Sequence, residues 1–196
     1  MSMRLVHHAA FHRTLTLLLG LILLALPACK RHPNTPPPSG AITFEPAGVA
    51  LVPGEDWKQI REPGFAGTLA SGELCLPVLQ GENQLNGSLI QTYLDRADKS
   101  DPKRAAQKLL QTIEKNPNLL KTSLRQESFN SEQGAAGVHL SFNQKMELPT
   151  RKWLARTHIY LVRNRRDQIV TICYVTIADR ESLAVPQMIR QTLSLR

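Results

Sequence analysis

Compact catalytic signatures are missing from this chain. There is no Gly-x-Ser-x-Gly, no His-Glu-x-x-His, no Gly-rich phosphate loop and no Cys-x-x-Cys pair, so no serine hydrolase, zincin, nucleotide or dithiol chemistry is motivated, and no cofactor or metal is expected. Acidic residues are absent from the first 28 positions. The apolar run there, Leu15 to Leu26, falls short of the roughly 20 residues that cross a bilayer. Cysteine is scarce, with three residues at 29, 75 and 173.

What the N-terminus does contain is ordered. Arg4 and Arg13 precede LTLLLGLILLAL, and Leu26-Pro27-Ala28-Cys29 follows. A short basic leader and an apolar centre describe an export signal, residues 1–28. Leu at −3, a small residue at −1 and Cys at +1 resemble the bacterial lipobox, with Pro27 as the departure from its usual small or hydroxylated residue. The resemblance implies that Cys29 carries diacylglycerol and, after cleavage, an acylated amine. At about 0.8 kcal/mol per buried methylene, two or more chains anchor a protein durably on a membrane. Lys30 to Gly40 holds four prolines, which favour polyproline II and give residues 29–40 the character of a semi-rigid tether.

Without the leader, 22 basic residues face 16 acidic ones, a net charge of +6. Such a chain favours anionic envelope partners: phospholipid head groups, wall polymers or acidic proteins. An exported protein does not meet nucleic acid. Residues 41–196 are of a size for one domain with a real core. Nothing in the sequence specifies an oligomeric state.

The pattern along that domain is mostly strand. Ile42 to Phe44 and Val49 to Val52 precede the Pro53-Gly54 turn, and Trp57 follows, either a ligand platform or a large side chain closing one end of a core. Glu73 to Leu79 is a strand that Pro77 makes an edge or a bulge. Ser88 to Leu94 is another strand. Asp101 caps and Pro102 opens a helix whose Ala106, Leu109, Leu110 and Ile113 share a face, ended by Asn116-Pro117. Strands are expected at Leu119 to Phe129, Gly137 to Met146, Trp153 to Val162 and Gln168 to Ile177, with the last central because it is apolar or β-branched nearly throughout. A helix from Val185 to Leu195 closes the chain. Alternation in Gly137 to Met146 sends Val138, Leu140 and Phe142 inward and His139 outward.

This order of elements, with Val52-Pro53-Gly54, Trp57 and the terminal helix Pro186 to Leu195, resembles the PsbP-like fold that includes bacterial DcrB-like lipoproteins. The resemblance implies an α+β fold, an antiparallel sheet flanked by helices in an α/β/α sandwich, in a family that mostly binds or assembles other proteins.

Candidate binding residues are Trp57 and the basic hairpin Arg163, Arg165 and Arg166. Those arginines either engage an envelope protein or anionic surface, or serve as solvated strand ends that guard an edge. Cys75 and Cys173 each sit in an apolar run and either pair across a loop of about 100 residues or remain two buried thiols. His139 and His158, in consecutive strands, fit a metal poorly without further ligands. The expectation is a membrane-anchored, non-catalytic binding or assembly lipoprotein; the alternative is a small hydrolase or ligand-binding enzyme with a site of scattered residues. Replacing Cys29 by Ala is expected to move the protein from the membrane fraction to the soluble extract or leave an uncleaved leader, with mass spectrometry of the wild-type N-terminus showing lipid on the thiol.

Overall fold

The computed structural model describes residues 39–61, 72–148 and 151–196. The leader and Cys29 lie outside them, as do the Pro63-Gly64 and Gly67 turns. All described residues belong to one compact unit, Pro36–Arg196.

The described residues form ten strands and two α-helices, besides three short 3-10 turns: β1 (Ile42–Phe44), β2 (Val49–Leu51), β3 (Trp57–Ile60), β4 (Glu73–Gly81), β5 (Leu89–Asp95), α1 (Pro102–Ile113), β6 (Leu119–Asn130), β7 (Ala136–Leu148), β8 (Arg151–Arg163), β9 (Ile169–Ile177), α2 (Ala184–Thr192) and β10 (Ser194–Leu195). Seven strands form an antiparallel sheet in the order β3-β4-β5-β9-β8-β7-β6, and β1-β2-β10 form a second, three-stranded sheet. β9 is therefore central, as its unbroken apolar run requires.

Each face of the large sheet has its own core. Along β9, Val170, Ile172 and Tyr174 pack on one side with Phe44, Val49 and Leu51 of the small sheet and Val185 and Ile189 of α2. Ile169 and Cys173 pack on the other with Ala105, Ala106 and Ile113 of α1. The period-two projection of strand side chains separates the two sets.

This architecture corrects the α/β/α sandwich. The fold is mostly β, and one face is covered largely by strands because the terminal segment does not remain helical to Leu195. Leu193 turns extended, and Ser194 and Leu195 then pair with Ala50 and Val49 of β2. Thr192 Oγ accepts from Val52 N at 3.2 Å and fixes the departure. Pro77 does not mark an edge: β4 pairs with both β3 and β5, and its register shifts between Cys75 and Leu79, which is the bulge. Leu76-Pro77 is cis.

Local signals were otherwise translated directly. Asp101 caps α1 by accepting from Lys103 N and Arg104 N at 2.9 and 3.0 Å, with Pro102 at the first turn. Asn164 organises the β8–β9 hairpin: its Oδ1 accepts from Arg166 N and Gln168 N, while its Nδ2 donates to Ala47 O at 3.0 Å and ties the hairpin to the small sheet.

Two glycines near the β6–β7 turn differ in what they require. Gly134 has φ +85° with open space around it, whereas a Cβ on Gly137 would run into the Leu161 carbonyl of β8. Gly134→Ala is expected to cost about 1 kcal/mol through backbone strain alone. Gly137→Ala should cost more, because the β7–β8 pairing itself must shift; paired urea melts check the order.

Candidate functional site

The sequence-derived binding residues do not converge. Trp57 opens β3, half-buried, and meets Tyr174 edge-on with ring centroids 6.4 Å apart. It packs against the core, as a large side chain closing one end would, and also lines an open cleft of about 580 Å³. Leu85, Val185 and Met188 give that cleft an apolar lining, and Asp56, Arg180 and Glu181 give it charge. Arg163, Arg165 and Arg166 stand exposed at the β8–β9 turn. β9 separates that turn from the Arg180–Ser182 segment by about 27 Å at about 3.4 Å per residue. Arg163 Nε is also paired with Asp167 at 3.3 Å. One small ligand cannot touch both regions.

Cys75 and Cys173 are free and buried, so the candidate disulfide is corrected. Cys75 is level with Thr92 of β5, and Thr92 with Ile172 of β9. A whole strand thus lies between the two cysteines, about 9.5 Å at ordinary strand spacing, beyond the roughly 4.4–6.8 Å that a disulfide spans. They also belong to opposite cores. Burial pushes the Cys173 thiol up to about 12; burial, then repulsion from Glu73, pushes Cys75 up to about 11.

The histidines yield the arrangement that sequence reasoning missed. Register sets His139 opposite Tyr160, and His158 opposite Ser141 and Tyr174, so the two imidazoles are diagonal neighbours on one face. That face is covered: His139 is 8% exposed and His158 4%. The alternation was right about His139 lying opposite Val138, but the side expected to meet solvent lies beneath α2 and the small sheet.

Between the imidazoles runs a continuous hydrogen-bonded chain. Glu127 Oε1 lies 2.8 Å from His139 Nδ1, His139 Nε2 lies 3.0 Å from His158 Nδ1, and His158 Nε2 lies 2.8 Å from Glu181 Oε1. A guanidinium closes each end: Arg190 NH2 is 3.5 Å from Glu127 Oε1, and Arg156 Nε is 3.4 Å from Glu181 Oε1. Arg156 also donates to Asn143 Oδ1 and Ser141 Oγ. The two imidazoles are nearly coplanar, 7° apart with centroids at 5.2 Å, as an edge-to-edge hydrogen bond requires; His139 stacks on Tyr160 at 4.5 Å, and His158 lies over Tyr174 at 5.6 Å.

Four strands and one loop supply this chain: Glu127 from β6, His139 from β7, His158 and Arg156 from β8, Tyr174 from β9, and Glu181 from the segment before α2. Only the two histidines were close enough in predicted register to be suspected. Neither carboxylate carries a local signal, since each reaches the site through tertiary packing.

All four ring nitrogens are engaged, so no serine, threonine or cysteine among the described residues is hydrogen-bonded to either imidazole. No group of three or more potential ligands among those residues is arranged to hold a metal ion. Burial lowers both histidines, with Glu127 and Glu181 pulling upward against it, and brings His158 to about 4. The hydrogen bond from His139 holds the Glu127 carboxyl below its usual value.

No protein-family model matches the chain, and no curated protein matches it.

The depressed histidines fix the sign of the acid response. An unfolded chain takes up protons near 6.5 while the folded chain resists, so stability is lost as pH falls from about 6.5 toward 4. Glu127, held low when folded, adds a loss as pH falls through the carboxylate range. Urea midpoints across this interval are expected to decline, with a shallower slope in the His139→Gln/His158→Gln protein. Thiol trapping should label neither Cys75 nor Cys173 in the native protein and both on unfolding without reductant.

Proposed function

We propose that the protein is a membrane-anchored, non-catalytic binding module of the bacterial envelope, held by lipid on Cys29, whose partner enters the cleft beside Trp57. The observation that carries this reading is the pairing of an open, amphipathic cleft with histidines that have no nitrogen to spare. Trp57, Leu85, Val185 and Met188 offer apolar area, and Asp56, Arg180 and Glu181 offer orientation, the composition of a recognition site. A general base needs a free lone pair within reach of a nucleophile, and both imidazoles spend theirs on neighbours. Leu183, 78% exposed immediately beside the cleft, adds an apolar contact that a docked partner would cover. Among the described residues no helix is long and apolar enough to cross a membrane.

A photo-crosslinking residue placed at Gln84, on the cleft rim, is expected to capture the envelope partner in intact cells, and Leu85→Arg in the same chain to abolish capture. Capture from Arg166 alone would move the binding surface to the basic hairpin. Turnover of an ester or amide substrate that disappears in Glu181→Gln would replace the binding reading with the enzymatic one.

A further inference from the structure

The chain Glu127–His139–His158–Glu181 contains three gaps of 2.8, 3.0 and 2.8 Å. Each is a hydrogen-bond distance and needs one hydrogen between its two heavy atoms. The carboxylates, ionised at neutral pH, supply none. The four ring nitrogens must therefore carry three hydrogens, whereas two neutral imidazoles carry two. With only two, one gap would bring bare lone pairs together at hydrogen-bond distance inside a buried site. With four, the central gap would hold two N–H groups head to head and place two cations 3.0 Å apart.

We infer that the Glu127–His139–His158–Glu181 chain is a proton-binding site that retains one proton shared by the two imidazoles, bridging β7 and β8.

The groups facing the pair are consistent with one positive charge and no more. Glu127 from β6 and Glu181 from the segment before α2 stabilise the imidazolium directly. Arg190 of α2 and Arg156 of β8 oppose a second proton, and Tyr160 of β8 and Tyr174 of β9 stack on the rings without adding charge. Counting both carboxylates, the shared imidazolium and the two guanidinium groups, the cluster carries +1. Burial pulls both rings downward, so the carboxylates and the three hydrogen bonds hold the first proton against it, and a second would double the buried charge.

Entry of that second proton breaks the central bond and leaves two halves. His139 stays with Glu127 and Arg190. His158 stays with Glu181 and Arg156, and since both of Glu181's partners belong to β8 the Glu181 segment remains on the sheet. The bond that acid breaks is therefore the one between β7 and β8. The proton count stands without any reading of the cleft.

Long-range ¹H–¹⁵N spectra of the full chain in detergent, labelled at histidine, test the count. His139→Gln and His158→Gln assign the rings. At pH 7 three of the four ring nitrogens of His139 and His158 should be protonated, with a strongly downfield shared proton. Two protonated nitrogens, meaning two neutral rings, would overturn the proposal. Wild-type stability supplies a reading that needs no variant. The folded chain then holds up to one proton more than the unfolded chain above 6.5, so urea midpoints should decline between pH 6.5 and 7.5, where unfolded thiols, titrating at about 8.5, are still mostly protonated. A flat or rising profile in that interval would equally sink it.

Discussion

The structure depends on one constraint: a seven-stranded antiparallel sheet with both faces covered. Strand side chains alternate, so whatever occupies the second set of positions is buried along with the first. In β7 and β8 that second set contains His139, His158 and Tyr160, opposite Val138, Leu140, Ile159 and Leu161. Polar groups taken out of water must be satisfied or they destabilise the fold. The carboxylate–imidazole chain is how this sheet meets that requirement, and the arginines at its ends balance the charges that the chain introduces.

Such a solution is demanding. A buried ionic network is held together only when every member is bonded, because removing one leaves the others charged and alone. Here the network ties together parts that sequence keeps far apart: the edge strand β6, the inner strands β7 and β8, and the segment leading into α2. α2 has no capping bond from Leu183; Ser182 accepts at its start instead, through Oγ from Ala184 N at 3.3 Å and through its carbonyl from Val185 N at 3.2 Å. Glu181, just upstream, fixes the approach of the chain through His158 and Arg156.

Much of the fold was legible because its signals are local. The capping Asp101 with Pro102, the alternation in β7, the β-branched run of β9 and the Asn164 turn each act within a few residues, and each appears where the sequence places it. β3 was missed because WKQI is short and has exposed residues at its centre, and β10 because Ser194 and Leu195 continue a helical pattern until packing against β2 pulls them out. The α/β/α expectation failed for the same reason. It required a helix across the face that β1, β2 and β10 share with α2. The site was half legible: two histidines in neighbouring strands were visible, but Glu127 and Glu181 join them through register and a turn that no short-range pattern encodes. Trp57 was legible as a core-closing side chain because a large apolar ring beside a Pro-Gly turn has a core to pack on.

The same network bears on what the cleft can do. Chemistry there would need a base, a nucleophile or a metal, and the imidazoles that could act as base or ligand point their nitrogens along the sheet at each other and at two carboxylates. Freeing one would mean breaking a charge-assisted bond in a buried site, which costs more than an exposed hydrogen bond returns. Glu181, the member that reaches the cleft, already accepts from His158 and faces Arg156, so its remaining capacity is to orient a bound group. On the proposed reading such a cleft would recognise surface and charge, with Glu181, held to β8 by His158 and Arg156, orienting what binds.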